Sequence, residues 1–190
     1  MRYPSDQKAK AKAAILRSGA SALRTNGFNG IGVDGLAASA GVTSGAFYSN
    51  FANKEALLEQ VIATCVGEPF IDSESGSLAE RQDRLRDWLA MYISATHRAD
   101  PASGCVMPTL SADVGRANPQ VRAAYERKML ELVRKMANVL DGDGPERERR
   151  AWSIIAMMVG AIAISRAMPD GPAADQALES ALKTAVALVR

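Results

Sequence analysis

Two cysteines, one histidine and 5% aromatic residues in a chain of 190 leave little material for the commonest site chemistries. Cys65 and Cys105 are too few for a disulfide framework and suit a reducing cytosol. His97 is the sole histidine, and no Cys-x-x-Cys or His-x-x-x-His spacing occurs, so neither a metal nor another cofactor is expected. His97 reads instead as a helix cap near Asp100. A nucleophilic serine elbow, a phosphate loop and a dinucleotide fingerprint are all missing, which argues against an enzyme. No apolar run approaches the ~18 residues of a membrane span. The longest candidate, Ile154 to Ser165, is short and rich in Ala and Gly. Met1 to Lys12 is polar and basic with no apolar stretch behind it, so it does not read as a secretory signal and a cytoplasmic location is expected.

What the chain does have is a globular balance, 47% hydrophobic and 23% charged, with helical periodicity from end to end. Charge is uneven along it. Residues 1–60 carry seven basic and four acidic residues, and the remainder carries 16 and 17. A basic head on a near-neutral body fits a polyanionic partner at one end.

The fold class expected is all-α with about nine helices. The first runs from about Ser5 to Asn26 with Ile15, Ser18, Gly19, Ala22 and Leu23 on one face, and Asn26-Gly27 stops it. Short helices follow at about Val33–Ala40, broken by Gly41, and about Ser44–Phe51, capped by Thr43. Asn53 caps a longer one bearing Leu57, Leu58, Val61 and Ile62. Gly67 to Ser77 reads as a loop. Five helices complete the body: Leu78 to about Arg98, one after Gly104, Pro119 to Asp141-Gly142, Pro145 to about Met168, and one from Pro172. Cys65, Trp88 and Trp152 read as packing residues.

Two short helices around a Gly-containing turn, followed at once by a capped third, form the unit whose second member enters the major groove. Phe47 and Phe51, four apart, would bury against the head. Ser44, Gly45, Tyr48 and Ser49 lie opposite, and Lys54 is placed for a backbone phosphate.

The run Ala40-Gly41-Val42-Thr43-Ser44-Gly45-Ala46-Phe47-Tyr48, with Phe51, Lys54, Glu55, Leu57 and Leu58, resembles the head motif of the TetR (tetracycline repressor) family. The likeness spans roughly residues 10–62. It implies a three-helix helix-turn-helix DNA-binding domain over 1–62, a fourth helix at about 53–66 as connector, and a ligand-binding and dimerisation domain over 63–190. Position by position, it implies DNA contacts from Thr43, Ser44, Gly45, Ala46, Tyr48, Ser49 and Asn50, with Lys54 on phosphate. Three departures stand out. Ile31 and Gly32 replace the Thr or Ser that usually opens the second helix. Gly35 lies inside that helix, at ~1 kcal/mol relative to Ala. Asn50, where His or Tyr is common, can pair bidentately with adenine, and Ser49 replaces a common aromatic.

In the body, the helix carrying Ile154 to Ile164 is apolar on nearly every side and must be buried on nearly every side. A second copy would cover its remaining face, and the resemblance implies a homodimer built from the last two helices. A pocket for a small-molecule effector would draw on Trp88, Tyr92, Cys105, Met107, Leu110, Tyr125, Met129 and Met158. Cys105, at or just inside a helix start, resembles the cysteines through which some TetR-type regulators sense electrophiles or oxidants. The function expected is a homodimeric repressor released from a pseudo-palindromic operator by a small molecule. The alternatives are a helical small-molecule carrier with a vestigial head and a ligand-dependent activator.

Overall fold

The computed structural model describes residues 5–68, 70 and 74–190. Arg2, at the basic N-terminus, and part of the loop expected over 67–77 lie outside the described residues. Among the described residues ten helices follow in chain order: α1 (Ser5–Asn26), α2 (Val33–Ser39), α3 (Ser44–Tyr48), α4 (Lys54–Cys65), α5 (Leu78–Tyr92), α6 (Ala95–Ala99), α7 (Met107–Gly115), α8 (Pro119–Ala137), α9 (Gly144–Arg166) and α10 (Pro172–Ala187). No strand occurs among the described residues.

The tenth helix arises where one was expected over Leu78 to Arg98. Ser94 breaks that span: its hydroxyl accepts from the His97 N–H at 3.1 Å and caps a new helix. Ile93, with ψ 69°, makes the corner. His97 does cap a helix end, that of α5. Its Nδ1 lies 2.7 Å from the carbonyl of Tyr92, the last residue of α5, so that nitrogen carries the proton. Burial shifts the His97 pKa downward. The third helix of the body stops at Ala137, short of the expected Asp141-Gly142.

The chain forms two compact units, residues 1–68 with 101–128 and residues 69–100 with 129–190. In the first, α1, α2 and α4 bury Ile15, Leu23, Leu36, Leu57, Leu58, Val61 and Ile62 around Phe47 and Phe51, and α7 lies against α1. α1 and α4 approach closely at Gly19, where a Cβ would sit 2.9 Å from Leu57 Cδ2 and push that side chain aside. In the second, α9 and α10 run along one another, burying Ile154, Ile155, Met158, Ile162, Leu178 and Ala185.

Arginines tie the second unit together. The Arg98 guanidinium bonds Asp175 at 2.8 Å and Asp170 at 3.1 Å, while Arg166 donates to the carbonyls of His97 and Arg98. Arg150, buried, donates from Nη1 to the carbonyls of Leu188 (3.0 Å) and Arg190 (2.8 Å) and from Nη2 to the carbonyl of Asp141. Trp152, expected in the core, is instead 42% exposed on the outer face of α9. No helix among the described residues is long and apolar enough to cross a membrane.

Candidate nucleic-acid interface

α2 and α3 are joined by four residues whose conformation follows from Gly41. Its φ of +67° is the left-handed region that Cβ-bearing residues avoid. There the Gly41 N–H donates to Ala38 and the Val42 N–H to Ala37, closing α2 in a Schellman arrangement. Thr43 then starts α3, its Oγ1 accepting from the Ala46 N–H at 3.1 Å. The next stop is equally local: Asn53 Oδ1 accepts from the Ala56 N–H at 2.8 Å and opens α4.

α2 opens without a side-chain cap on Gly32. Ile31 partly explains the glycine at position 35, for a Cβ there would meet Ile31 Cγ1 at 2.8 Å. An apolar residue laid across the first turn fixes the entry of the chain where Ser or Thr is missing.

α3 has two faces. Phe47 and Phe51 are buried with ring centroids 5.7 Å apart, and the Phe51 N–H donates to the Phe47 carbonyl at 2.9 Å. Thr43, Gly45, Tyr48 and Ser49 are exposed, Tyr48 by 56%, while Ser44, Ala46 and Asn50 are half-buried. Tyr48 meets Phe47 edge-on, so its ring rests partly on the head while most of the residue stays open to solvent.

Three positions are engaged locally. Ser49 Oγ donates to the carbonyl of Gly45 at 2.9 Å, and Asn50 Nδ2 to that of Ala46 at 2.8 Å. Asn50 Oδ1 is covered, so a bidentate contact to adenine requires the amide to turn outward. Ser44 Oγ lies 2.5 Å from Asp34 Oδ1. Two lysines flank the helix against aromatic rings: Lys54 Nζ is 4.2 Å from the Phe28 centroid and Lys12 Nζ 5.7 Å from that of Phe51. Stacking on a ring holds an ammonium in place without removing its charge.

Two contacts that the sequence reading did not anticipate fasten the turn after α1. Gly27 closes α1 with φ +70°, and the Phe28 N–H then donates to Asp113 Oδ2 of α7 at 2.8 Å. Arg24 Nη1 donates to the carbonyl of Ala102 at 3.0 Å. In sequence, Asp113 is one of many charged helix residues, with no motif to single it out.

The candidate effector residues divide between the units. In the first, Met107 and Leu110 are wholly buried, Tyr125 shares a 2.7 Å hydrogen bond with Ser111, and burial pushes the Tyr125 phenol pKa up. Cys105 lies two residues before α7, just outside the helix rather than within it, and accepts from the Met107 N–H at 3.4 Å. In the second, Met129 and Met158 are buried, and Phe70, Trp88, Tyr92 and His97 form a succession of rings with centroids 5.1, 5.3 and 4.5 Å apart.

The sequence matches two family models, one described as bacterial regulatory proteins of the tetR family over residues 15–61, the other as the tetracyclin repressor-like C-terminal domain over residues 82–181. The chain belongs to the TetR family. It is thus a DNA-binding transcriptional regulator with a helix-turn-helix domain, and not an enzyme. Solved structures share the fold of this TetR-family regulator at low identity. E. coli NemR in its reduced form is 20% identical with a TM-score of 0.72, covering 92% of this chain and 94% of that one. A TetR-family regulator from Agrobacterium tumefaciens is 14% identical with a TM-score of 0.73, covering 93% and 98%. Another, from Cytophaga hutchinsonii, is 20% identical with a TM-score of 0.70, covering 100% and 98%. No curated protein sequence matches.

Proposed function

We propose that this TetR-family regulator is a cytoplasmic homodimeric repressor that leaves a pseudo-palindromic operator when a small molecule binds its body. The observation that carries the DNA-reading half is the division of α3. Its aromatic anchors are buried, and an exposed row of Thr43, Gly45, Tyr48 and Ser49 is left at the size of helix the major groove admits. In this reading residues 1–62 are the DNA-binding domain, α4 the connector and residues 63–190 the effector and dimerisation domain. Thr43, Ser44, Gly45, Ala46, Tyr48, Ser49 and Asn50 meet DNA, with Lys54 on phosphate.

Dimerisation is supported by α9. Trp152, Ala156 and Ile164 are exposed, and Val159, Gly160 and Ala163 half-buried, on a helix otherwise sunk in the core. A Cβ at Gly160 would meet nothing within 4 Å, so nothing in the chain itself requires a glycine there, whereas a closely approaching second helix would. A two-fold dimer sets its half-sites ~10 bp apart or a multiple of that.

Selection of bound duplexes from a random pool tests the reading. The wild-type protein is expected to enrich a palindromic consensus, and Tyr48→Ala to lose it while keeping the wild-type melting temperature. No enrichment at low salt would overturn the assignment of α3 and favour the carrier alternative.

The effector half is supported by α7, which carries Met107 and Leu110 and also holds the turn after α1 through Asp113. A shift of α7 on ligand binding would be felt directly at Phe28. Asp113→Ala is expected to cost about 1.5–3 kcal/mol, the worth of a hydrogen bond to a charged group, and to weaken operator binding severalfold. Asp113→Asn keeps an acceptor oxygen and should lose less. Amide exchange at Phe28 reports the bond directly; an unchanged rate in the alanine variant would rule the anchor out.

A further inference from the structure

The first residue of α3 is engaged with α2, and that engagement restricts what it can recognise. Ser44 Oγ lies 2.5 Å from Asp34 Oδ1, in the first turn of α2. An ionised carboxylate has no proton to give, so the hydroxyl donates and Asp34 accepts. Both residues reach solvent, Asp34 exposed and Ser44 half-exposed.

With the single hydroxyl proton committed, Ser44 can offer only lone pairs, and Asp34 offers only acceptor oxygens. The pair is therefore an all-acceptor unit with one negative charge. It cannot bond a phosphate, which also only accepts and is also negative. Along the major groove the only donors are the amino groups, N4 of cytosine and N6 of adenine. Adenine places the N7 acceptor beside its amino group, guanine shows N7 and O6, and thymine shows O4. Cytosine alone presents a donor with no neighbouring acceptor on its own edge, and carboxylates pair with it for that reason.

Resting on the reading of α3 as the recognition helix, we infer that Asp34 determines specificity: through Ser44 it selects cytosine at one position of each half-site and rejects guanine there. The negative charge also sets this end of α3 against base edges rather than against the backbone.

Selection from a random duplex pool with the wild-type protein, Asp34→Ala, Asp34→Asn and Ser44→Ala tests this, with melting temperatures as the control for folding. The wild type is expected to prefer cytosine over guanine by roughly tenfold at one symmetry-related pair of positions. Asp34→Ala should flatten that position alone, leaving the rest of the consensus intact and raising affinity for random DNA as a negative charge is removed. Asp34→Asn, whose amide can also donate, should admit guanine or thymine at the same position. Ser44→Ala should weaken the preference there and nowhere else. A consensus unchanged in Asp34→Ala would overturn the inference. So would an even weakening at every position, which would mean that Asp34 only holds α2 against α3. A wild-type protein that enriches no sequence would instead overturn the recognition-helix reading, and the inference with it.

Discussion

Phe47→Ala is expected to abolish operator binding and to destabilise the protein by about 3–5 kcal/mol, the usual cost of truncating a buried phenylalanine. The ring is wholly enclosed and touches Phe51 and Tyr48, so its loss opens a cavity under α3, the helix proposed to read DNA. α3 spans five residues and cannot hold its shape unaided; isolated helices shorter than ~12 residues are marginal in water, and tertiary packing must supply the rest. Phe47→Leu keeps most of the volume and should retain binding with a far smaller loss of stability. Thermal unfolding and a gel-shift titration check both variants. If Phe47→Ala bound operator like the wild type, the anchoring role would be wrong.

Arg150→Met should lower the melting temperature by roughly 5–15 °C without changing the bases selected. One guanidinium there satisfies the carbonyls of Leu188, Arg190 and Asp141, and lies 3.7 Å from Glu146 Oε1 and 3.4 Å from Asp141 Oδ1. Methionine preserves the apolar stem and removes every donor. Leaving buried acceptors unsatisfied costs about 1–3 kcal/mol each, discounted here because residue 190 reaches solvent. For a chain of this size ~1 kcal/mol corresponds to ~2–4 °C. Lysine, a point charge without the planar fork, should fall between the two. Gly142 fits the same picture: its φ is +99°, and a Cβ would stand 3.2 Å from Arg150 Nη2. Calorimetry decides it, and a melting temperature unchanged in Arg150→Met would show that the carbonyls find water instead.

The head was legible in the sequence because its signals are local. Gly41, Thr43 and Asn53 each act on backbone groups within three or four residues, and Phe47 and Phe51 declare a face by their spacing alone. The corner at Ile93-Ser94 was hidden because Ser94 sits inside a convincing helical period. Capping shows only when the hydroxyl is seen on the His97 N–H. Arg150 and Asp113 were hidden for a different reason. In Arg147-Glu148-Arg149-Arg150 nothing in composition separates the buried arginine from its neighbours, and its partners lie up to 40 residues away. Asp34 and Ser44, ten apart on different helices, likewise become a pair only in three dimensions. Trp152 misled in the opposite direction, since an indole among Ile and Met reads as core while the fold leaves it 42% exposed.

The separation of duties along α3 has a consequence for change over time. Phe47 and Phe51 hold the helix in place, while Gly45 and Ser49 are exposed and bond only within the helix, and Tyr48 lays one ring edge on Phe47 and is otherwise exposed. Substitution at the outer positions is therefore nearly free of structural penalty. On the proposed reading of α3, a duplicated copy of this regulator could drift to a new promoter by exchanging a few side chains, keeping its scaffold throughout. An engineer seeking an orthogonal switch would diversify the same few codons and leave both phenylalanines alone.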